Sequence, residues 1–487
     1  MQRAWAPGFA ALLLASVAAA QPSPPPTSNV TSFPASFFAQ ARPTTAMDMI
    51  ARLPGFVFDS GAQVRGFGGA AGNVLIDGQR PTTKQDDLEG ILRRIPASQV
   101  VRIEVIRGAI PGVDMQGKSL IANIVRKGDL TQQTTLFAAD DFTPSTGGQL
   151  PGFRLDSSQK LGASSLEASI GGSRFRDDGA GSGHETYSFN PAFNPNAPCT
   201  PSCTERLSAR AGGWQDSGSI AYAAPMFGGR FKVNLTGTGT VYSDREGDAG
   251  TVAAETSTLN DTNRDAAVEL GLNYQHRLGS QTELELIALQ QVHQSKDDDT
   301  YTANGLVETF NDFNRLSETI LRAILRRPFT PTFNLTVDGE GAYNLQRTGS
   351  NYVVGGVVTP VVAGDIRVDE IRLEGGATLA WTASPTLNLE AALRYESSTI
   401  TSSGDVSAQK TLGYLKPRLA VTWTPVRNDQ LRLRLERSVG QLDFKPLLHR
   451  ANSIPGCTPE TPPCSRKPRI PPSSPISTVF GRRARSP

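Results

Sequence analysis

Three blocks decide the reading of this chain: V-L-I-D-G-Q-R-P from Val74 to Pro81, I-P-A-S-Q-V-V-R-I-E-V-I-R-G from Ile95 to Gly108, and A-N-I-V-R-K from Ala122 to Lys127. Each holds a strand-length apolar core closed by charge or glycine. Val74-Leu75-Ile76 stops at the Asp77-Gly78 turn. Val101, Ile103 and Val105 alternate with Arg102, Glu104 and Ile106, which predicts a strand with one strongly apolar face, closed by Arg107-Gly108. Ile121 to Val125 predicts a third strand, through Asn123 and Ile124 and closed by Arg126-Lys127. Between the first two, Leu88, Ile91, Leu92 and Ile95 fall at i, i+3, i+4 and i+7 and share one helical face, which Pro96 ends. Upstream, Thr45 is placed to cap a short helix with Asp48 three residues on, and Pro54-Gly55 ends it. The expected unit is a small α+β domain over residues 41–128. The glycine-rich run from Gly61 to Gly72 lacks both G-x-G-x-x-G and Gly-Lys-Ser/Thr, so it reads as turn and loop rather than as a phosphate cradle.

Downstream, over 145–444, the period changes to strict alternation in segments of ~10 residues. Val268, Leu270, Leu272 and Tyr274 alternate with Glu269, Gly271 and Asn273; Leu387, Leu389, Ala391, Leu393 and Tyr395 alternate with Asn388, Glu390, Ala392 and Arg394. Short turns at Phe227-Gly228-Gly229, Leu278-Gly279-Ser280 and Ala383-Ser384-Pro385 take turns with stretches read as long loops, around 176–214, 243–263, 295–312 and 346–364. Short connections at one end and long ones at the other describe an up-and-down antiparallel transmembrane β-barrel, with about 12 strands before Phe444. A β-sandwich would need no such asymmetry, and no fixed repeat supports a solenoid.

The ends differ from this middle. Arg3, the apolar run Phe9 to Ala15, and Ala18-Ala19-Ala20 make residues 1–20 a secretory signal. Residues 21–40, rich in Pro, Ser and Thr, read as a flexible segment. After Phe444 the alternation stops, and residues 445–487 form a proline-rich, basic tail expected to be disordered or frameshifted. Across 487 residues the net charge is only +2, so bulk electrostatics does not point to nucleic acid.

The three opening blocks resemble the plug domain of the TonB-dependent outer-membrane receptors. The residues that carry the likeness are Val74, Leu75, Ile76, Asp77 and Gly78; Ile95, Pro96, Arg102, Ile103, Glu104, Val105, Arg107 and Gly108; and Asn123, Ile124 and Lys127. The resemblance implies a plug facing the periplasm inside a barrel in outer-membrane lipid. It also implies a small nutrient ligand bound between plug and loops, and energy delivered by the TonB complex through an extended box near the mature N-terminus. Val30, Thr31, Ser32, Phe33 and Pro34 are the candidate box, a short β-prone segment able to add a strand to a partner sheet. Barrels of this family have about 22 strands. The roughly 12 expected here therefore form a partial barrel, consistent with a truncated gene product.

No constellation of chemistry competes with this reading. His184, His276, His293 and His449 are scattered without metal-ligand spacing, and no local signature of nucleophile, base and orienter is present. Neither an enzyme nor a cofactor or metal site is expected. Cys199 and Cys203, in one long loop, are placed to close a small disulfide in an oxidising compartment. The function expected is TonB-dependent uptake of a scarce nutrient of the siderophore, vitamin or oligosaccharide class. Two alternatives stay open: a truncated, non-functional receptor, and an outer-membrane structural or adhesin barrel without transport.

Overall fold

The computed structural model describes residues 30–439, apart from 62–71, 82, 85–87, 109–114, 116–117, 128–131, 144–147, 178–179, 189–201, 251–255, 362–363 and 427–428. The signal segment, the start of the segment 21–40, most of the glycine-rich run, Cys199 and the tail 445–487 thus lie outside the described residues.

The N-terminal unit is built from β1 (Val30–Pro34), a 3-10 helix (Ala35–Ala41), α1 (Ala46–Ile50), β2 (Val74–Ile76), α2 (Leu88–Arg94), β3 (Val100–Arg107) and β4 (Leu120–Arg126). Its sheet runs β1-β3-β4-β2, with β2 parallel to β4 and the other pairs antiparallel. The helices cover one face, where Met49, Ile50, Leu92, Ile103 and Ile124 are almost completely buried. Leu75, Ile106, Met115 and Ile121 form a smaller cluster. Residues 30–40, expected to be flexible, carry β1 and the 3-10 helix, because Phe38 is buried and Phe33 packs against the same core.

The strand expected to point Val101, Ile103 and Val105 to one face departs from that alternation at its start. A register shift between Val100 and Arg102 turns Val100 inward and leaves Val101 exposed. A bulge of this kind adds one residue to one strand and flips the side chains before it. Ile103 and Val105 keep the buried face.

Fifteen further strands form one antiparallel sheet: β5 (Gln132–Thr143), β6 (Gly148–Leu161), β7 (Ser164–Arg176), β8 (Gly181–Ser188), β9 (Ser202–Met226), β10 (Gly229–Gly250), β11 (Thr256–Leu278), β12 (Thr282–Ala303), β13 (Leu306–Thr330), β14 (Phe333–Val354), β15 (Val357–Thr359), β16 (Asp365–Ser384), β17 (Leu387–Gly404), β18 (Ala408–Val426) and β19 (Asp429–Glu436). Short β8 and β15 attach to β9 and β14; the others follow one another as nearest neighbours from β5 to β19, which are the two edges of an open sheet. The count exceeds the 12 or so expected because much of the sequence read as loop is strand. β12 and β13 run to a tight turn at Asn304-Gly305, and β10 pairs with β11 as far as Ala249 and Thr256. Beyond an apolar band both faces of such strands are polar, so alternation fades while the hydrogen-bond ladder continues.

Within the band the faces are sharply divided. Leu321, Ile371, Leu373 and Leu393 point outward and are 54–62% exposed, whereas Glu269, Asp338, Glu340, Glu370 and Arg372 point inward and are buried. Apolar outside and polar inside is the arrangement of a wall between lipid and a wet lumen. Phe329, Phe333, Trp381 and Trp423 gather on this face at the end of the wall that holds the turns at Gly228 and Gly279, hereafter the turn end, at the level of an interfacial aromatic girdle. Among the described residues no helix is long and apolar enough to cross a membrane.

Thr45 caps α1 as the spacing predicts. Its hydroxyl accepts from the Asp48 N–H at 3.2 Å, and the Asp48 carboxylate accepts from the Thr45 N–H at 3.0 Å. Burial pushes the Asp48 carboxyl up, but hydrogen bonds from Thr44 and Thr45 outweigh it and hold the carboxyl below its ordinary 3.8. A depressed folded-state pKa means the cap's contribution is complete at neutral pH and is lost as pH falls below that ordinary value. Thr45→Ala should cost about 1 kcal/mol, read as lost amide protection in α1. Asp48→Asn should remove the acid dependence of that protection.

Candidate functional site

The block that opened the sequence reading is the framework of the N-terminal unit. Asp77 and Gly78 both adopt positive φ, 49° and 79°, in the tight turn that closes Ile76 onto Gln79. The Gly78 N–H donates to Asn123 Oδ1 at 2.8 Å, Asn123 Nδ2 donates to Glu104 at 2.9 Å, and Arg102 donates to Glu104 at 2.8 Å. One chain of hydrogen bonds thus crosses from the β2 turn over β4 to β3. Arg107 donates to Thr31 Oγ1 at 2.9 Å and joins β3 to β1. The Ala46 N–H donates to the Ile95 carbonyl, Pro96 bridges to Thr45, and the Lys127 N–H donates to the Gln99 carbonyl. These residues are therefore brought together to hold a sheet, and Ile76, Ile95 and Pro96 also line the cavity at the seam described below.

Val30–Pro34 is ordered as β1, the end strand of this sheet, in register with Ile106 to Arg102 of β3. Cys203 falls within β9, while its expected partner Cys199 lies outside the described residues.

The N-terminal unit sits against the inner face of the wall, and the seam is mostly polar, with Ala380 of β16 packed against the Leu75–Ile106 cluster as an apolar contact. Thr83 Oγ1 donates to Glu269 at 2.5 Å, the Lys84 N–H donates to the same carboxylate at 3.0 Å, and Lys84 Nζ pairs with Glu318 at 2.6 Å. Gln79 donates to Gln275 at 2.6 Å, and Gln99 donates to Gln133 at 3.1 Å. Arg126 bridges the units, reaching Asp77 of the plug at 2.8 Å and Glu167 of β7 at 2.5 Å. Gly108 approaches β17 so closely that a Cβ there would stand 3.5 Å from Asn388 Cβ. A cavity of ≈ 100 Å³ opens along the seam between Arg94, Gln99, Arg126, Glu167 and Lys232. That volume has room for several waters among groups able to bind them.

Glu269, Thr83, Lys84 and Gln79 carry no signal in the sequence. Glu269 is one of many acidic residues on an alternating strand, and it is completely buried only because the plug arrives over it.

Beside the plug, the inner wall carries a ladder of alternating charge. Arg322 pairs with Asp338 at 3.1 Å, Arg372 with Glu340 at 2.5 Å, and Arg394 with both Asp338 and Glu374 at 2.6 Å. Lys416 continues it to Glu374 and Glu396. Among the described residues, Arg322 Nε and Arg372 Nε are buried without a hydrogen-bond partner, which suits a lumen where water supplies the missing bond.

Two family models match the chain. The one described as TonB-dependent Receptor Plug Domain matches residues 26–117, and the one described as TonB dependent receptor-like, beta-barrel matches residues 204–443. No curated protein matches the sequence significantly. Among solved structures, the chain is similar to the ferric-catecholate import receptor Fiu from K12 E. coli, at 10% identity and a TM-score of 0.43, covering 84% of this chain and 65% of that one. It is similar to the copper transporter OprC at 12% identity and a TM-score of 0.40, covering 85% and 63%. The ferric yersiniabactin uptake receptor FyuA from Yersinia pestis matches at 10% identity and a TM-score of 0.31, covering 84% and 78%. The chain thus spans less than two thirds of the first two, and scores this low carry no inference about ligand.

Two substitutions separate framework from wall. Asn123→Ala removes both side-chain hydrogen bonds of the β2–β4–β3 chain, to the Gly78 N–H and to Glu104, and should cost about 1–3 kcal/mol, seen as faster amide exchange confined to β2, β3 and β4. Asp338→Ala leaves Arg322 and Arg394 short of a counter-charge in a buried site and should cost about 3 kcal/mol. Its readout is a lower temperature for the gel-mobility change on heating.

Proposed function

This chain belongs to the TonB-dependent receptor family, and from that premise we propose that it is an outer-membrane receptor for energy-coupled uptake of a scarce small nutrient of the siderophore, vitamin or oligosaccharide class. In this reading residues 41–128 act as the plug and 145–444 as the wall, which stands in outer-membrane lipid with its turns and plug toward the periplasm. The plug blocks the lumen until the TonB complex pulls on it, and no covalent chemistry is required of the chain.

The observation that carries this reading is the seam. Thr83, Lys84, Gln79, Gln99 and Arg126 meet the wall through hydrogen bonds and ion pairs. Each neutral contact contributes only about 1 kcal/mol net and each one to a charged group about 1.5–3 kcal/mol, because water replaces it when it opens. An apolar seam would instead lose about 25 cal/mol for every Å² exposed. A plug seated in this way can shift under a modest pull. β1 suits the coupling role: it is short, β-prone and at the end of its sheet, where strand addition occurs.

The test is a reversible lock. Gly108→Cys with Asn388→Cys places two Cβ atoms 3.5 Å apart, within the range a disulfide spans, against the strain of a side chain at φ +74°. Uptake of a labelled nutrient panel by cells carrying this pair should cease under oxidation and return with reductant, while either single cysteine transports normally. Deleting residues 28–34, which also removes β1 from the plug sheet, should abolish uptake, and retained ligand binding at the cell surface is the control that the plug still folds. Uptake that is the same in cells with the oxidised pair, the reduced pair and no copy of this chain would favour a structural or adhesin barrel.

A further inference from the structure

The cavity along the seam is lined by three cations, Arg94, Arg126 and Lys232, against two carboxylates, Asp156 and Glu167. Both carboxylates are already engaged. Asp156 accepts from Arg154 at 2.8 Å and from Ser169 at 2.7 Å, and Arg126 holds Glu167 at 2.5 Å together with Asp77 at 2.8 Å. Lys232 is left over: among the described residues it makes no hydrogen bond and no ion pair. It stands on β10 in line with Asn234 and Thr236, and the residues opposite these three on β9 are Ala223, Ala221 and Ser219. Small side chains on β9 leave the space that the plug covers with Arg94 at the end of α2, Gln99, and Arg126 at the end of β4.

An ammonium held away from bulk water needs a counter-charge, or it gives up its proton. The neighbours of Lys232 add to the demand rather than meet it, because Arg126 and Arg230 both act on its charge. Arg230, at the start of β10, is exposed and likewise makes no hydrogen bond or ion pair among the described residues. A second cavity of ≈ 30 Å³ shares Arg126, Glu167 and Lys232 with the first and reaches Asp77, Gln79 and Arg230. It leads toward the turn at Phe227-Gly228, which gives the seam cavity a basic mouth at the turn end.

We propose that the seam cavity binds one small free oxyanion, a phosphate or a short carboxylate, between Lys232 of the wall and Arg94 and Arg126 of the plug. Ammonium and guanidinium groups bond such oxygens more strongly than neutral donors do. The hydroxyls of Ser219 and Thr236 line the same space and supply further donors. Room for several waters is room for an ion of this size, and not for the body of a larger nutrient molecule. The ion touches plug and wall at once, so it binds only while the plug is seated, and by mass action it holds the plug there. The proposal needs only the plug in its seat and does not depend on what the receptor carries.

The full chain is purified in detergent without phosphate or carboxylate buffers and titrated with potassium phosphate, potassium acetate or potassium chloride at matched ionic strength. Amide exchange in the plug segments 76–81 and 94–99, which border the cavity, is followed by mass spectrometry. Phosphate, acetate or both should slow exchange there with a saturable dose response, and chloride should not; which of the two acts identifies the ion. A general salt effect rises without saturation and reaches every segment. Lys232→Met keeps the length without the charge and should weaken the response about ten-fold, while Lys232→Arg should restore most of it. Ala221→Leu fills the cavity from β9 with every charge in place and should abolish the response. Lys410→Gln, which removes an exposed cation on β18, should respond as wild type does. Variants are compared only where the gel-mobility change on heating matches wild type. Three results would overturn the proposal: no saturable response to either oxyanion, an equal response to chloride, or an undiminished response in Lys232→Met or in Ala221→Leu. The first is what a lysine that has given up its proton would produce.

Discussion

Backbone amides in contact with hydrocarbon have no water to bind, and the structure is organised around that constraint. An unsatisfied N–H or C=O in lipid costs several kcal/mol, so a membrane wall of strands pairs each strand on both sides wherever it can. Here 13 strands follow one another in sequence order, with β8 and β15 as short additions. Pairing to nearest neighbours through tight turns such as Phe227-Gly228 and Asn304-Gly305 needs no crossover, and each residue's face then follows from its parity.

The same wall sets the character of everything inside it. Because lipid takes the apolar side chains, the inner face is left with Arg322, Asp338, Glu340, Arg372, Glu374 and Arg394. Buried ion pairs of this kind contribute little net stability, since desolvation offsets most of the attraction. They do keep the lumen wettable, while the plug docks beside them on Glu167, Glu269, Gln275 and Glu318. Two interiors therefore coexist: a conventional apolar core within the plug, around Ile103 and Ile124, and a polar one between plug and wall. The first holds the plug together, and the second seats it against the wall.

Much of the plug was legible because local signals agreed. Helix periodicity placed α2, the Thr45–Asp48 spacing gave a capping box, and Asp77-Gly78 gave a turn with two positive φ angles. The misreadings share a cause. The bulge at Val100 is a property of the β3–β4 pairing, invisible in β3 alone. The stretches near 243–263 and 295–312 lack alternation, yet they are strands held by neighbours whose outer and inner faces are both wet. Residues 30–40 have a mobile composition, yet Phe38 is buried in a core assembled from residues far along the chain. Composition and period report a residue's solvent, and where both faces meet water they stop distinguishing strand from loop.

By itself, then, the amino-acid sequence determined the two-part architecture, the turn chemistry of the plug and the face each band residue presents, because all three depend on neighbours within a few positions. The seam at Glu269 and Lys84, the approach of Gly108 to Asn388, the charge ladder along the lumen and the cavity beside Lys232 were decided only by tertiary structure. Each depends on register between strands or on where the plug comes to rest. A shift of one residue in any pairing would send those charges to the other face while leaving every local pattern in the sequence unchanged.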